Sequence, residues 1–525
     1  MRAAVVVIVA GCLSCVSTRS ISGGPDPRAA LPPLVDAPAP HEAAPLRSVL
    51  QLSSTDPIID VRVVFESGSA DDPAGKEGLT ALTVRLMREA TLDKDAAALA
   101  DALFPLAAEI SVQVDKDVVV FAGRCHKDHQ DAFVRLVADV LTHPRLDPTD
   151  FARLRDDASA YLTSTLRANN DEALQREALE AVLYDDRESE GARHPYHHTP
   201  TGTVVGLAAI TLDDVRAQMA RVLTQDRLVL GVAGGAEAAV VEALSSALRM
   251  LPATGATRVL PSTPELKASK LLVVDKPSAG TAISLGFPVS LARAHPDYPA
   301  MKLAETWFGE HRNLIGHLFH SMREVRGLNY GDYAYVEHFV QEGSSTLERT
   351  NVPRRSQYFS MWIRPVEHKN RLFALRMGAW ELARFVDQGI PDDQSFDAVK
   401  SFVRGYWRSK EQDPMRRLGY AVDDVLTGSS FDREGLRQRV QQLTRAEVNA
   451  AIHRQLAANK VIYVVVTQDA TPLVRDVLDN KPSPIAYAAK VDASLLKEDE
   501  QIVSFDLGLA KDDVTVVPPS ALFQQ

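Results

Sequence analysis

The sequence lacks the features of a disulfide-rich protein and of a nucleic-acid-binding protein. It has only three cysteines in 525 residues, and two of them, Cys12 and Cys15, lie near the amino terminus. Cys125 has no partner for a disulfide in the globular part, so we expect it to be a small buried residue on a strand. The net charge of −11 includes no run of lysine and arginine, which argues against a nucleic-acid partner.

The amino-terminal residues have the composition of a secretory signal peptide. Arg2 precedes an apolar run, residues 3–10, that is too short for a membrane-spanning helix, which needs roughly 20 apolar residues. The sequence Val9-Ala10-Gly11-Cys12 resembles the bacterial lipobox, in which the cysteine becomes the lipidated first residue of the mature chain. We therefore predict a signal peptide over residues 1–16 with lipidation of Cys12, and a plain cleaved signal peptide is the alternative.

Residues 17–46 are rich in proline, alanine and glycine, which is typical of a tether and not of a folded domain. The tether would hold the globular part away from a membrane that the protein contacts through its lipid anchor alone. We expect a lipoprotein facing the periplasm, anchored in the outer membrane, or a secreted protein.

The order of predicted strands and helices in residues 47–251 recurs in residues 270–485. The helix start Thr211-Leu212-Asp213-Asp214 and the strand after it match Thr444-Arg445-Ala446-Glu447 and a later strand, both with an offset of 233 residues. Equal offsets of two elements indicate tandem copies of one fold. The prediction is an α+β protein with two homologous α/β repeats, each a mixed, mostly antiparallel sheet covered by helices. Residues 252–269 would be the linker, and residues 486–525 an extended carboxyl-terminal appendage with two short strands.

Residues 61–91 combine a β-branched strand, a loop of glycine, aspartate and proline, and a helix whose apolar residues recur at helical spacing. This stretch resembles the opening of the pitrilysin/insulinase family of inverted zincins. In that family the helix carries H-x-x-E-H, whose two histidines bind zinc while the glutamate activates water.

The five motif positions read Ala81, Leu82, Thr83, Val84 and Arg85 in this sequence. Alanine has no ligand atom, valine takes no proton, and the permanent cation of Arg85 opposes a metal dication. The resemblance places the third ligand, a glutamate, at residues 160–165, where no acid occurs; Asp156 and Asp157 are at the wrong count. We therefore expect neither a metal nor another cofactor in this chain.

The second repeat contains a further family pattern in residues 318–330, L-F-H-S-M-R-E-V-R-G-L-N-Y. The resemblance implies that Arg323 and Tyr330, seven residues apart, hold the substrate and polarise the scissile carbonyl from across a chamber. A guanidinium and a phenol are both donors suited to an oxygen that gains charge. The alternative is that Arg323 is a solvated helix residue and Tyr330 a packing residue.

Members of this length form half of a clamshell and assemble as dimers, in some of which a zinc-less subunit supplies the Arg/Tyr pair to a zinc-bearing sister with H-x-x-E-H. The resemblance thus implies a non-catalytic subunit of a heterodimeric zinc peptidase, with zinc in the partner. The substrate would be a peptide or an unfolded protein, and an acidic chamber wall would help to bind it. The alternatives are a homodimeric peptide-binding or scaffold protein of the cell envelope, and an enzyme with an unrecognised metal site.

Two further clusters are interpreted as structural. His194, His197 and His198 lack a nearby carboxylate, so we expect a surface loop and not a metal site. Arg354 and Arg355 lie in the polar stretch 346–356, which we interpret as a solvated loop, with a place in the chamber lining as the alternative.

Overall fold

The computed structural model describes residues 46–185, 193–258, 262–429, 432–487 and 490–525. Its strands are β1 (Arg47–Leu52), β2 (Ile58–Phe65), β3 (Glu109–Val114), β4 (Val119–His126), β5 (Leu228–Gly234), β6 (Lys270–Asp275), β7 (Thr281–Val289), β8 (Asp332–Tyr335), β9 (Gln357–Val366), β10 (Ile462–Thr467) and β11 (Val514–Val517).

The helices of the first repeat are α1 (Leu79–Glu89), α2 (Ala96–Leu103), α3 (Gln130–Thr142), α4 (Pro148–Ala160), α5 (Asp171–Leu183), α6 (Val204–Ala209), α7 (Leu212–Val222) and α8 (Ala238–Leu248). The second repeat has α9 (Tyr298–Gly309), α10 (Arg371–Gln388), α11 (Asp393–Lys410), α12 (Pro414–Thr427), α13 (Arg433–Gln442), α14 (Arg445–Gln455) and α15 (Ala470–Leu478), and the carboxyl-terminal part adds α16 (Ala493–Ile502). Two segments, Tyr161–Asn169 and Phe319–Glu324, have the wider turns of a π-helix.

The two sheets have the same strand order. The first sheet runs β1-β5-β2-β4-β3 and the second β11-β6-β10-β7-β9-β8, so that the second repeats the first once β11 is set aside. In each repeat only the first pair is parallel, β1 with β5 and β6 with β10, and the other pairs are antiparallel. The prediction of two homologous repeats, each with a mixed and mostly antiparallel sheet, is confirmed.

The helix starts that revealed the repeat are built alike. Thr211 caps α7 and Thr444 caps α14, and each is part of a capping box, with Asp214 and Glu447 respectively. In both boxes the threonine hydroxyl and the carboxylate satisfy backbone amides that the first turn leaves without partners. The local chemistry of this turn is therefore the same in both repeats, 233 residues apart.

Each repeat covers part of the other repeat's sheet. Leu174, Ala178 and Leu179 on α5 share an apolar cluster with Ala282 and Val464 of the second sheet. In the reverse direction, residues of α12 pack on the first sheet, where the cluster contains Leu418, Val422, Val64, Val120 and Val229. The exchange joins the two repeats, because each sheet has one face that the other repeat helps to cover.

The loop before α1 is held by Asp72. Its carboxylate accepts hydrogen bonds from the Gly78 amide (2.7 Å) and from the amide and hydroxyl of Thr80 (2.7 and 2.6 Å). Burial raises the pKa of Asp72 to about 7. Gly78 has φ of 103°, which favours glycine at the helix start. The first turn of α1 is thus positioned by the half-buried carboxylate of Asp72.

The carboxyl-terminal part differs from the expected extended appendage with two strands. It consists of the helix α16 and one strand, β11, which extends the second sheet by pairing with β6 in parallel. The last residues then reach the first repeat, where the amides of Val204 and Val205 donate to the carbonyls of Phe523 and Gln524. The part beyond the second repeat therefore contacts both repeats.

The predicted signal peptide, Cys12 and nearly all of the predicted tether lie outside the described residues, and residues 259–261 of the predicted linker do so as well. The domain boundaries remain predictions. Cys125 lies on β4 and is fully buried, as expected. Among the described residues, no helix is both long and apolar enough to cross a membrane.

Candidate functional site

Helix α1 presents hydrocarbon and a guanidinium at the three motif positions. Val84 is completely buried in the apolar core of the first sheet, Ala81 is half-buried, and Arg85 is exposed. None of the three side chains offers a lone pair to a metal ion. The helix is therefore anchored in the core through the position at which the family has its catalytic glutamate.

The segment Tyr161–Asn169 contains all but the first of the positions expected for the third ligand, and it contacts α1 through leucines. Leu162 and Leu166 are fully buried and pack in one cluster with Leu79, Leu82 and Leu86 of α1. Leucine side chains thus fill the space between the two helical segments. This apolar contact joins the two segments.

The two acids closest in sequence lie elsewhere. Asp156 and Asp157 are exposed, and each is near an arginine, with distances of 3.6 Å to Arg155 and 3.5 Å to Arg153. Within the described parts of the chain, no group of three or more His, Cys, Asp or Glu side chains is arranged to hold a metal ion. The residues at the motif positions do not fit zinc.

Arg323 and Tyr330 lie next to each other. The guanidinium carbon of Arg323 is 5.9 Å from the centre of the Tyr330 ring and 4.6 Å from that of Phe319. Arg323 is on the Phe319–Glu324 segment, and Tyr330 precedes β8, so a tight loop brings them together. The Tyr330 side chain is 75% exposed, and Arg323 is half-buried. Both donors are therefore accessible to another molecule.

A small polar network fixes the chain between Tyr330 and β8. The Asn329 amide donates to the Asp332 carboxylate (2.7 Å) and to the Arg364 carbonyl (2.9 Å), and the Arg364 amide donates to the Gly331 carbonyl (3.3 Å). Burial raises the pKa of Asp332 to about 8, because the nearby charges of Arg364 and Arg323 only partly offset it. Asp332 therefore holds its loop mainly as the neutral acid at neutral pH.

A buried arginine holds the other side of the same loop. Arg326, whose side chain is fully buried, donates to the carboxylates of Asp499 (2.9 Å) and Glu498 (3.0 Å) and to the Ser321 carbonyl (2.9 Å). Both acids belong to α16, and Tyr487 also donates to Asp499 (2.6 Å). The carboxyl-terminal helix therefore anchors the segment that carries Arg323.

The solvated-loop interpretation of residues 346–356 is wrong for Arg354. Its guanidinium is buried between the repeats and donates to Asp115 (2.7 Å) and Glu180 (2.6 Å). Burial opposes ionisation of both acids, but the charge of Arg354 outweighs it and holds the pKa of Asp115 and of Glu180 below the usual range. These partners are 239 and 174 residues away in sequence, so no local pattern announces the contact.

The three-histidine cluster forms a turn that is partly buried and not the expected surface loop, since His198 is only 4% exposed. His194 contacts the Ser262 carbonyl (3.0 Å) and accepts from the Tyr196 amide (3.1 Å), and His197 contacts the His194 carbonyl (2.7 Å). Burial lowers the pKa of His194 to about 4. Each of the three histidines thus has at least one ring nitrogen in contact with the backbone, His198 through the Thr199 carbonyl (2.8 Å).

Two family profiles match the chain, one after the other. The profile described as insulinase (peptidase family M16) matches residues 47–193, and that described as peptidase M16 inactive domain matches residues 209–347. An uncharacterized zinc protease of Mycobacterium tuberculosis is 24% identical over 402 residues, which are 74% of this chain and 84% of the relative. A Helicobacter pylori protein named non-peptidase homolog YmxG is 20% identical over 414 residues, 78% of this chain and 88% of that protein.

Solved structures show the same fold. A peptidase M16 inactive domain from Pseudomonas fluorescens superimposes with a TM-score of 0.69 at 22% identity, covering 81% of this chain and 96% of that chain. A protease from Helicobacter pylori superimposes with a TM-score of 0.67 at 16% identity, covering 82% and 99%. Together with the two profiles, these likenesses show that the chain belongs to the insulinase (peptidase M16) family and is a peptidase-like member of it.

Proposed function

We propose that this chain is the non-catalytic subunit of a two-subunit zinc peptidase and that it presents Arg323 and Tyr330 to the active site of a zinc-bearing partner. One observation carries the proposal. The two donors lie side by side and accessible, while the motif helix of the same chain is packed into an apolar core and has no ligand atoms at positions 81, 84 and 85. A family member that keeps the donors without the metal ligands suits a partner that has the ligands.

The chemistry assigned to the pair is that of a positioned donor set. A guanidinium donates through a fixed planar fork and a phenol through one hydroxyl, so together they bind a peptide carbonyl and stabilise the charge that develops on its oxygen. The buried network around Asn329, Asp332 and Arg326 keeps the loop in place before substrate arrives. Donors held in this way act without reorganising at the moment of reaction.

The proposed place of action is the periplasmic side of the cell envelope, with Cys12 as the lipid attachment site. Membrane attachment would then depend on one thiol. Cys12→Ser in the full-length protein should move the chain from the membrane fraction to the soluble fraction and abolish incorporation of a labelled fatty acid. Unchanged membrane attachment of this variant would contradict the lipoprotein proposal.

The test of the proposed function is reconstitution with a family member that has an intact H-x-x-E-H motif, beginning with one encoded next to this chain. The chain alone should not cleave a peptide, and the mixture should. Arg323→Ala should lower kcat/KM of the mixture by about 10²-fold, the scale of losing an oxyanion donor. Arg475→Ala is the matched control, because Arg475 is exposed on α15 and pairs with Asp476.

The alternative is a non-enzymatic peptide-binding or scaffold protein that forms a homodimeric shell. In that case Arg323→Ala and Tyr330→Phe would leave the cleavage rate of every zinc-bearing relative unchanged, and the pure chain would form dimers with itself. Peptide cleavage by the pure chain that a chelator abolishes would instead reveal a metal site of its own.

A further inference from the structure

The surface around Tyr330 carries several arginines, although the chain has a net charge of −11. The backbone amide of Arg364 donates to the Gly331 carbonyl, and the guanidinium of Arg364 pairs with the half-exposed Glu172 (3.0 Å). Arg323 stands over the Tyr330 ring. Arg323 therefore lies beside the exposed phenol ring, and Arg364, on β9, is joined to the next residue, Gly331.

Two more arginines continue this surface along β8 and β9. Tyr333 and Trp362 are neighbours across these strands, and the guanidinium of Arg176 on α5 lies 4.1 Å from the centre of a Trp362 ring. Arg312 follows His311 in the sequence, and the His311 ring is 4.7 Å from the Tyr333 ring. The charge of Arg312 acts on the Tyr333 hydroxyl. Arg312 is exposed and Arg176 half-exposed, above a largely buried aromatic platform.

Few carboxylates neutralise these cations. In the ranges that the structure describes, no acid lies within ion-pair distance of the guanidinium groups of Arg176, Arg312 or Arg323. Burial raises the pKa of Asp332 and of Glu177, which weakens both as counter-ions, and Glu324 is engaged with His320 (2.7 Å). Of the acids near this surface, Glu172 is the one that pairs with Arg364.

We infer that this surface, formed by Arg176, Arg312, Arg323, Arg364 and Tyr330, binds an acidic segment of a peptide substrate. The inference deepens the proposed function, because it takes the Arg/Tyr pair as the substrate-facing side of the chain. Guanidinium forks match the geometry of aspartate and glutamate carboxylates, and the exposed phenol ring adds an apolar contact beside them. The expected acidic chamber wall thus gives way, around the pair, to a cationic surface that would attract acidic peptide.

The test measures peptide binding by the full chain without any partner, by fluorescence anisotropy. Three labelled peptides of equal length are compared: one rich in aspartate and glutamate, its asparagine/glutamine counterpart, and a lysine-rich one. Because each surface charge pair contributes modestly, three free cations should make the acidic peptide bind about tenfold more tightly than its amide counterpart. Added salt should weaken this preference, since exposed charges are screened.

Variants show whether the preference belongs to this surface. Arg312→Ala should weaken binding of the acidic peptide alone, and Arg176→Ala should do the same, whereas the control Arg475→Ala on α15 should not. Arg312 is exposed, so its replacement leaves the fold intact even if Arg176→Ala disturbs the Trp362 contact. A loss with Arg312→Ala that spares the amide peptide supports the inference.

Equal binding of the acidic and amide peptides, or an unchanged preference in Arg312→Ala, would overturn the inference. Binding of phosphatidylglycerol vesicles without binding of acidic peptide would also overturn it, because the surface would then recognise a membrane. None of these outcomes depends on a zinc-bearing partner. Failure of the reconstitution experiment would overturn the proposed function and leave the measured peptide preference unaffected.

Discussion

The anchoring of the Arg323 loop by the carboxyl-terminal helix gives a graded stability prediction. Arg326 is fully buried and bonded to two acids of different exposure: Asp499 is 9% exposed and Glu498 is 41% exposed. Removing the guanidinium by Arg326→Ala leaves the buried Asp499 with Tyr487 as its remaining side-chain partner. Breaking a buried pair from one side costs about 3–5 kcal/mol. Glu498→Gln should cost less than about 1 kcal/mol, because an exposed ion pair contributes little.

The assay is denaturant unfolding of the isolated chain, together with hydrogen exchange of residues 319–330. We expect the free energy of unfolding to fall in the order Glu498→Gln, Asp499→Asn, Arg326→Ala, with the last the least stable. Amides of the Arg323 loop should lose protection in the same order, since the loop and α16 are connected through Arg326. Equal effects of Glu498→Gln and Arg326→Ala, or unchanged loop protection in Arg326→Ala, would refute the reasoning.

Three further predictions follow from individual contacts. The pKa of Asp332 is raised to about 8 from 3.8, so between these pH values the native state holds a proton that the unfolded state releases. This group therefore stabilises the fold below about pH 4, and its contribution is lost as the pH rises to about 8. Asp332→Asn should remove this part of the pH dependence of urea unfolding. The combined change Ala81→His, Val84→Glu, Arg85→His should lower the unfolding midpoint, because Val84 is buried in the core. It should give neither bound zinc by metal analysis nor chelator-sensitive cleavage, because Leu162 occupies the region of the third ligand. Bound zinc with cleavage would contradict this prediction. In a Cys12→Ser, Cys15→Ser background, Cys125 should react with a thiol reagent only after unfolding, because burial raises its pKa to about 12 and shields it.

Local patterns predicted what local chemistry determines. The β-branched residues placed β2, and the apolar spacing placed α1. The paired capping boxes at Thr211 and Thr444 revealed the repeat. Each of these features depends on residues a few positions apart.

Contacts between distant segments were not predictable in this way. Helix α5 covers the second sheet and α12 covers the first. The apolar face of a helix shows in the sequence, but the sheet that it covers depends on the packing of the two repeats. Arg354 sits in a stretch that is polar in sequence yet buried, because its carboxylate partners arrive from the other repeat. The helix α16 was missed because Leu495 and Leu496 gave a short apolar run that suits a strand equally well.

The candidate site shows the same division. The spacing of Arg323 and Tyr330 predicted a pair of donors. In the structure, the guanidinium carbon of Arg323 is 5.9 Å from the centre of the Tyr330 ring. Their roles remain predictions, as does the lipidation of Cys12. The surrounding arginines escaped notice in the sequence because Arg176 and Arg312 come from separate helices and loops and meet only through the aromatic residues of β8 and β9.

The central claim is that this chain completes a partner's active site without holding a metal. The most direct measurement titrates the purified chain into a fixed amount of a zinc-bearing H-x-x-E-H relative and follows peptide cleavage together with zinc content. The account predicts no cleavage by either protein alone, a rate that rises and saturates at equal amounts of the two, and zinc only in the partner. Chelator-sensitive cleavage by this chain alone, or a partner rate that does not respond to its addition, would contradict the account.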